Sequence, residues 1–252
     1  SVIDVPKTGI VAVAAAAAPT PQQVLDSMQM SGLLGGSGRA VVELVVEKGK
    51  QTKTNKVEIL RRDDGKGSSS QMVEFLAPAD VKGTKFLSIV EPGAEDQMWL
   101  YLPAVGRERR IAGSSAQGQF MGTDFTFEEI SLSEDSWKDY VPSLLPDQKV
   151  DGKPCHVLKL VPKSSGQAYT GVVLYVWQDG ALPLKIEFFG KGDKLQKTMS
   201  LQDLEKTPSG AWQPRTIRLA NAATGGATTV KIIESDTKAI SDEVFTLRYL
   251  RK

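Results

Sequence analysis

AVVELVVEKGKQTKTNKVEILR, residues 40–61, alternates apolar and polar side chains along most of its length. Ala40, Val42, Leu44 and Val46 share one face, and Glu43 and Glu47 fall on the other; Val57, Ile59 and Arg61 then alternate with Glu58 and Leu60. A period of two belongs to strands with unlike faces, because successive side chains on a pleated strand point to opposite sides. Short runs of the same kind are predicted over 71–77, 85–91, 97–102, 107–112, 154–162, 171–178, 182–190, 194–202, 212–220 and 226–234. Turn chemistry separates them at Asp64-Gly65, Glu91-Pro92-Gly93, Asp151-Gly152, Asp179-Gly180, Gly190 to Asp193, Pro208 to Gly210 and Gly225-Gly226. About eleven or twelve strands joined mainly by short turns, with no helices long enough for parallel crossovers, imply an antiparallel meander. A sheet that wide must curl or close.

The chain has 252 residues, of which 40% are hydrophobic and 24% charged, a composition that supports a packed core and suits one large β-domain. Lys and Arg exceed Asp and Glu by one, so no strong field gathers polyanions, and no nucleic-acid partner is expected. Cys155 is the sole cysteine and cannot form an internal disulfide; it sits in an alternating run and reads as a small core residue. His156, the one histidine, points to the opposite face, so neither a Cys–His dyad nor a metal site is assigned. Glu128, Glu129, Glu134 and Asp135 lie close together, but linear clustering does not supply the opposed geometry of a catalytic carboxylate pair; they read as a solvated acidic face. No phosphate loop, nucleophile elbow or zinc-protease motif occurs, so no catalytic residue and no cofactor is assigned, and the chain reads as a non-enzyme.

Lys7 followed by the apolar stretch 9–18 (GIVAVAAAAA) resembles the back half of a secretory signal; the alternative is an Ala-rich leader or short helix kept in the mature chain. Residues 1–18 are therefore set apart as a leader, and 19–252 are read as a single domain. Thr20 as cap, Pro21 in the first turn and Gln23 three residues after the cap predict a helix. Val24, Leu25, Met28 and Leu33 continue it for about three turns, to Gly35-Gly36. The stretch 113–150 breaks the strand pattern: Gly113 to Gly122 is followed by Thr126-Phe127-Glu128-Glu129, another capping-box spacing, so a long loop with one or two short helices is expected. Both segments are placed to cover the concave side of the sheet. Met28, Met72, Met98, Met121 and Met199 either line a ligand cavity or fill gaps in a core.

Residues 98–130, MWLYLPAVGRERRIAGSSAQGQFMGTDFTFEEI, resemble the signature of the LolA-like outer-membrane lipoprotein-sorting family. In that signature a Trp-x-Tyr-x-Pro strand leads into an Arg-rich strand and a Gly-x-Phe-Met-Gly-x-Asp-Phe loop. Trp99, Tyr101, Pro103, Arg107, Arg110, Gly118, Phe120, Met121, Gly122, Asp124 and Phe125 match it, and looser similarity extends over most of 21–252. The resemblance implies a mainly β fold: an incomplete antiparallel β-barrel of about eleven strands, with a few helices as a lid over an apolar cavity for acyl chains. It implies a periplasmic carrier of lipid or lipoprotein, secreted by an N-terminal signal, working between an inner-membrane lipid exporter and an outer-membrane acceptor. Periplasmic sensors or adaptors that bind a protein partner share the scaffold, and that reading stays open.

Along the motif's first strand Met98, Leu100 and Leu102 share a wholly apolar face, opposite Trp99 and Tyr101. With Val42, Leu44 and Val46 from the opening stretch, and Phe120, Met121 and Phe125 from the loop, they form the predicted cavity lining and lid. Arg107, Arg109 and Arg110 either meet anionic headgroups at a rim or pair internally with Asp124 and Glu128. Asp124 equally suits a turn or cap that holds the loop. Release of a buried chain needs a moving lid, assigned to 113–135.

Overall fold

The computed structural model describes residues 17–28, 36–132 and 134–252; the leader over 1–16 and the expected helix end at Leu33 and Gly35 lie outside them. The strands are β1 (Gly38–Lys48), β2 (Gln51–Asp63), β3 (Ser69–Ala77), β4 (Lys85–Val90), β5 (Gln97–Leu102), β6 (Arg107–Ile111), β7 (Tyr140–Val150), β8 (Lys153–Pro162), β9 (Gly171–Trp177), β10 (Pro183–Gly190), β11 (Lys194–Lys206), β12 (Trp212–Asn221) and β13 (Ala227–Asp236). All 13 belong to one sheet, ordered β6-β5-β4-β3-β2-β1-β13-β12-β11-β10-β9-β8-β7. Every pairing is antiparallel, and every neighbour is consecutive in sequence except β1 with β13. The sheet is an incomplete barrel, left open between β6 and β7, which follow one another along the chain.

The expected count of about eleven strands falls short because β7 lies inside the stretch read as a loop. Its sequence, YVPSLLPDQKV, is mostly exposed and carries Pro142 and Pro146, which hide its alternation. Proline is tolerated there because β7 is an edge strand, and its register with β8 shifts between Leu145 and Gln148, around Pro146. The first helix, α1 (Pro21–Ser27), has the expected capping box on Thr20 and Gln23 but is shorter than expected, since Met28 is already extended.

Period-two patterning sorts the two faces. Val42 and Leu44 of β1, Val57 and Ile59 of β2, Val73 and Phe75 of β3, Phe86 of β4, and Met98 and Leu100 of β5 enter one concave core. α1 lies against β7 and β8 and adds Val24 and Met28. Leu60, Met72 and Leu87 point the other way, where Phe245 and Leu250 of the C-terminal segment cover them. That segment, ending in α3 (Leu247–Leu250), is tied down by Arg62, which pairs with Asp242 and donates to the Ile240 carbonyl at 2.6 Å. Arg251 adds a fork of bonds to Glu108 of β6 at 2.9 and 2.5 Å.

One ladder joins the two halves of the meander: β1 against β13, running from Arg39↔Asp236 to Glu47↔Ala227. Gly38 begins β1 with φ of 139°, and a Cβ there would stand 2.2 Å from the Asp236 carbonyl oxygen. Gly38→Ala is therefore expected to lower stability by about 1–3 kcal/mol through backbone strain at this seam; an unchanged urea midpoint would refute it.

Arg251 holds the Glu108 carboxyl down to about 2, against an ordinary 4.5. A depressed carboxylate contributes stability above its unfolded value and loses it as pH falls. The stability gap between the wild type and Glu108→Gln should be full above pH 4.5 and vanish near pH 2. Urea melts across that range measure it, and a gap that widens on acidification would exclude this role.

Candidate functional site

The connection from β6 to β7 crosses the open side of the barrel and fills its concave face. After a 3-10 turn at Gly113–Gln117, the chain folds into a small hairpin: Gln119 bridges Thr126, and the Phe120 N–H donates to the Phe125 carbonyl at 2.8 Å. Met121 and Gly122 make its tip with φ of 45° and 72°, a left-handed pair in which glycine carries no Cβ penalty. The Thr123 hydroxyl donates to the Phe120 carbonyl at 2.7 Å. Helix α2 (Phe127–Ile130) follows, capped reciprocally by Thr126 and Glu129 as the spacing predicted.

This cover segment inserts aromatic side chains into the barrel. Phe120 and Phe125 are 0% exposed. The Phe120 ring lies 5.9 Å from Phe75 and 5.5 Å from Phe86, and Phe127 lies 5.5 Å from Phe86 and 5.7 Å from Phe120. Tilted and edge-on contacts of this kind add to the stabilisation from burial itself. Ile130, Leu132 and Trp137 continue the apolar underside.

Polar bonds hold the segment to the far half of the barrel. The Asp124 carboxylate accepts from the Thr228 hydroxyl of β13 at 2.7 Å and from the Asn221 amide of β12 at 3.3 Å. Lys197 of β11 donates to the Asp124 carbonyl at 2.7 Å and to the Glu129 carboxylate at 2.8 Å. Glu129 also accepts from the Tyr169 hydroxyl at 2.5 Å; burial and the Glu129 charge push the Tyr169 phenol up, which keeps it a neutral donor. On the near half, the Gln71 amide of β3 donates to the Ile130 carbonyl at 3.0 Å. The segment thus straps β3 to β11–β13 across the concave face. A cavity of about 270 Å³ remains at its margin, bounded by Glu128, Leu132, Trp137, Tyr140, Tyr169 and Val172.

The structure places Val42, Leu44, Met98 and Leu100 in the concave core, with Leu102 and Met121 half-buried against it and Phe120 and Phe125 above it. Val46 is buried outside that contiguous core. Leu100 pairs with Arg109 and Leu102 with Arg107, so these two exposed arginines share the concave side of the edge strand β6. Arg110 pairs with Trp99 on the other face and stacks 5.5 Å over its ring. The alternative of Arg110 bonded to Asp124 is not realised, because Asp124 faces β12 and β13 instead. Glu129 corrects the reading of a solvated acidic face: it is 3% exposed and paired with Lys197.

Thr228, Asn221, Lys197 and Tyr169 carried no sequence signal as holding residues, since they are ordinary strand and loop polars distant along the chain. Gln71 did carry one, as a polar residue in the same register as Val73 and Phe75. Arg61, in register with Val57 and Ile59, carried another.

Among the described residues no helix is long and apolar enough to cross a membrane, and no group of three or more His, Cys, Asp or Glu is placed to hold a metal ion. A family model described as an uncharacterised protein matches residues 67–252. No curated protein matches the sequence. Among solved structures, an outer-membrane lipoprotein-sorting protein domain from Vibrio parahaemolyticus is similar at 25% identity and a TM-score of 0.82, over 92% of this chain and 96% of its own. A DUF1329 family protein from Desulfovibrio piger is similar at 26% identity and a TM-score of 0.81, over 92% of this chain and 100% of its own. A LolA superfamily protein from Nitrosomonas europaea shares the fold at 22% identity and a TM-score of 0.71, again over 92% and 100%.

Removing one member of a buried ion pair leaves the other charge uncompensated, so Lys197→Met should cost about 3 kcal/mol. Amide exchange over 118–132 should speed up more than exchange in β1 and β13. Equal acceleration everywhere would mean that Lys197 serves the barrel generally and does not latch the cover segment.

Proposed function

We propose that this chain, which belongs to the LolA-like outer-membrane lipoprotein-sorting family, is a non-enzymatic periplasmic carrier whose concave face takes up the acyl chains of a lipid or lipoprotein for transfer toward the outer membrane. The cover segment acts as its lid. Cargo arrives from an inner-membrane lipid exporter and leaves to an outer-membrane acceptor. One observation carries the reading: the apolar side chains that close the sheet's inward rows over the concave face, Phe120, Phe125 and Phe127, belong to an insert and not to a strand. Among its described residues the insert makes one isolated bridge within itself and is held to the barrel by side-chain bonds, so withdrawing it breaks no ladder of the sheet.

The energetics suit exchange. Burying a phenylalanine side chain is worth roughly 1.5–3 kcal/mol, so withdrawing Phe120, Phe125 and Phe127 costs about 5–9 kcal/mol. An acyl chain returns ~0.8 kcal/mol per methylene, so about ten buried methylenes offset the loss. Chains of ordinary lipid length exceed that, and the lid's own phenylalanines then help to expel the cargo when an acceptor offers a better environment. The opposing reading, a sensor or adaptor that binds a protein partner through a barrel packed shut, is favoured by the tightness of the Phe75–Phe86–Phe120–Phe127 cluster.

Lipid should accompany the purified protein in native mass spectrometry. Bound lipid should also raise amide exchange over 113–132 relative to the lipid-free chain. Exchange in that segment that is slow without lipid and unchanged with it would support the shut barrel instead.

A further inference from the structure

A second cavity, of about 1080 Å³, lies at the other end of the concave face, bounded by Ala40, Ile59, Arg61, Trp212, Ile232 and Asp236 among others. Small-molecule sites span roughly 300–1,000 Å³, so this space has the volume of a ligand site. Thr228 and Asp236 mark the latch end and the cavity end of β13, which at about 3.4 Å per residue puts them roughly 27 Å apart. The cavity therefore sits away from the Asp124 latch. It is close to the other anchor, because Arg61 pairs across β2 and β3 with Gln71, the residue that holds the Ile130 carbonyl.

Arg61 is the unusual group in this cavity. Along β2 it extends the inward row of Val57 and Ile59, both core residues. It is 4% exposed, yet among the described residues its guanidinium donates one bond from Nη2, to Asp63 at 3.2 Å, and its Nε–H has no partner. An arginine carries five N–H donors in a planar fork, and buried donors are normally satisfied. Other charged groups around the cavity are engaged. Arg39 is bonded to Glu58 and Glu234, Glu205 accepts from Arg215 and Gln213, Lys206 stacks over Trp212, and Asp236 accepts from the Lys238 N–H. Burial pulls the Arg61 pKa down, so the charge is held there against its desolvation.

We infer that this cavity binds the oxyanion headgroup of an acyl amphiphile, a carboxylate or phosphate gripped by the free donor edge of Arg61, with the chain running along Ile59 and Val57 toward the lid. The planar fork of arginine fits both headgroups bidentately. Ile59, Ala40 and Ile232 supply apolar wall directly beside the cation. The inference rests on the acyl-carrier reading above and names its cargo class: anionic amphiphiles over neutral ones of equal chain length.

Isothermal titration of the full chain with dodecanoate, dodecyl phosphate and 1-dodecanol tests it, since the three share a chain and differ in headgroup. At least one anion should bind about tenfold more tightly than the alcohol, as a charge-assisted bidentate contact requires. Whichever anion binds more tightly identifies the headgroup, and inorganic phosphate alone should not bind. Arg61→Met should erase the preference while leaving the alcohol's affinity unchanged, and Arg61→Lys, which keeps the charge but loses the fork, should retain part of it. Should Arg61→Met fail to fold, the wild-type comparison and Arg61→Lys decide alone. Equal affinity of anions and alcohol for the wild type, or a preference that survives Arg61→Met, overturns the inference. Binding of none of the three amphiphiles would instead remove the carrier reading beneath it.

Discussion

An open sheet cannot leave its apolar concave face to water, and the rest of this structure follows from how that face is covered. The barrel is broken between β6 and β7, and the chain that links those two strands is the piece that folds back over the face. The same connection is thus topologically external to the sheet and energetically part of its core. Phe120 and Phe125 are buried as deeply as Phe75 and Phe86, although they stand on a hairpin stabilised by turns and side-chain bonds. Burial of about 25 cal/mol per Å² of apolar surface holds such a segment down without sheet pairing.

Alternation makes most of the barrel legible in the sequence. Residues such as Val42, Val57 and Phe75 fall inward because a pleated strand allows two faces and an adjacent glutamate, Glu43, Glu58 or Glu74, takes the other. The strand that escaped, β7, lies at an edge, where one side of the ladder faces solvent and prolines are tolerated, so the usual apolar signal is diluted. The cover segment was legible as a break in pattern and through its capping box, but its attachments were not. Asp124 meets Thr228 and Asn221 across separations of 104 and 97 residues, and nothing local to either end records that pairing. Glu129 was misread for the same reason: an acidic residue beside another acidic residue reads as solvated until Lys197 is brought to it by the fold.

The polar residues that break an inward register proved the more informative signal. Gln71 and Arg61 sit in the inward rows of Val73 and Phe75 and of Val57 and Ile59, opposite one another on neighbouring strands. One anchors the cover segment and the other opens into the larger cavity, so these two polar residues of the concave floor lie side by side between cover and cavity. Burying a polar group without a partner is costly, and its presence on such a face calls for a task.

The two free edges have a consequence for how the molecule meets others of its kind. Unpaired N–H and C=O groups along β6 and β7 are templates for adding strands, either from another chain or from each other. β6 carries Arg107, Arg109 and Arg110 within its five residues, and β7 interrupts its donors with Pro142 and Pro146. Charge on one side and missing donors on the other discourage fibril-like stacking between molecules. They also discourage the barrel from zipping shut on itself, so the slot through which the cover passes is preserved by what its borders cannot do.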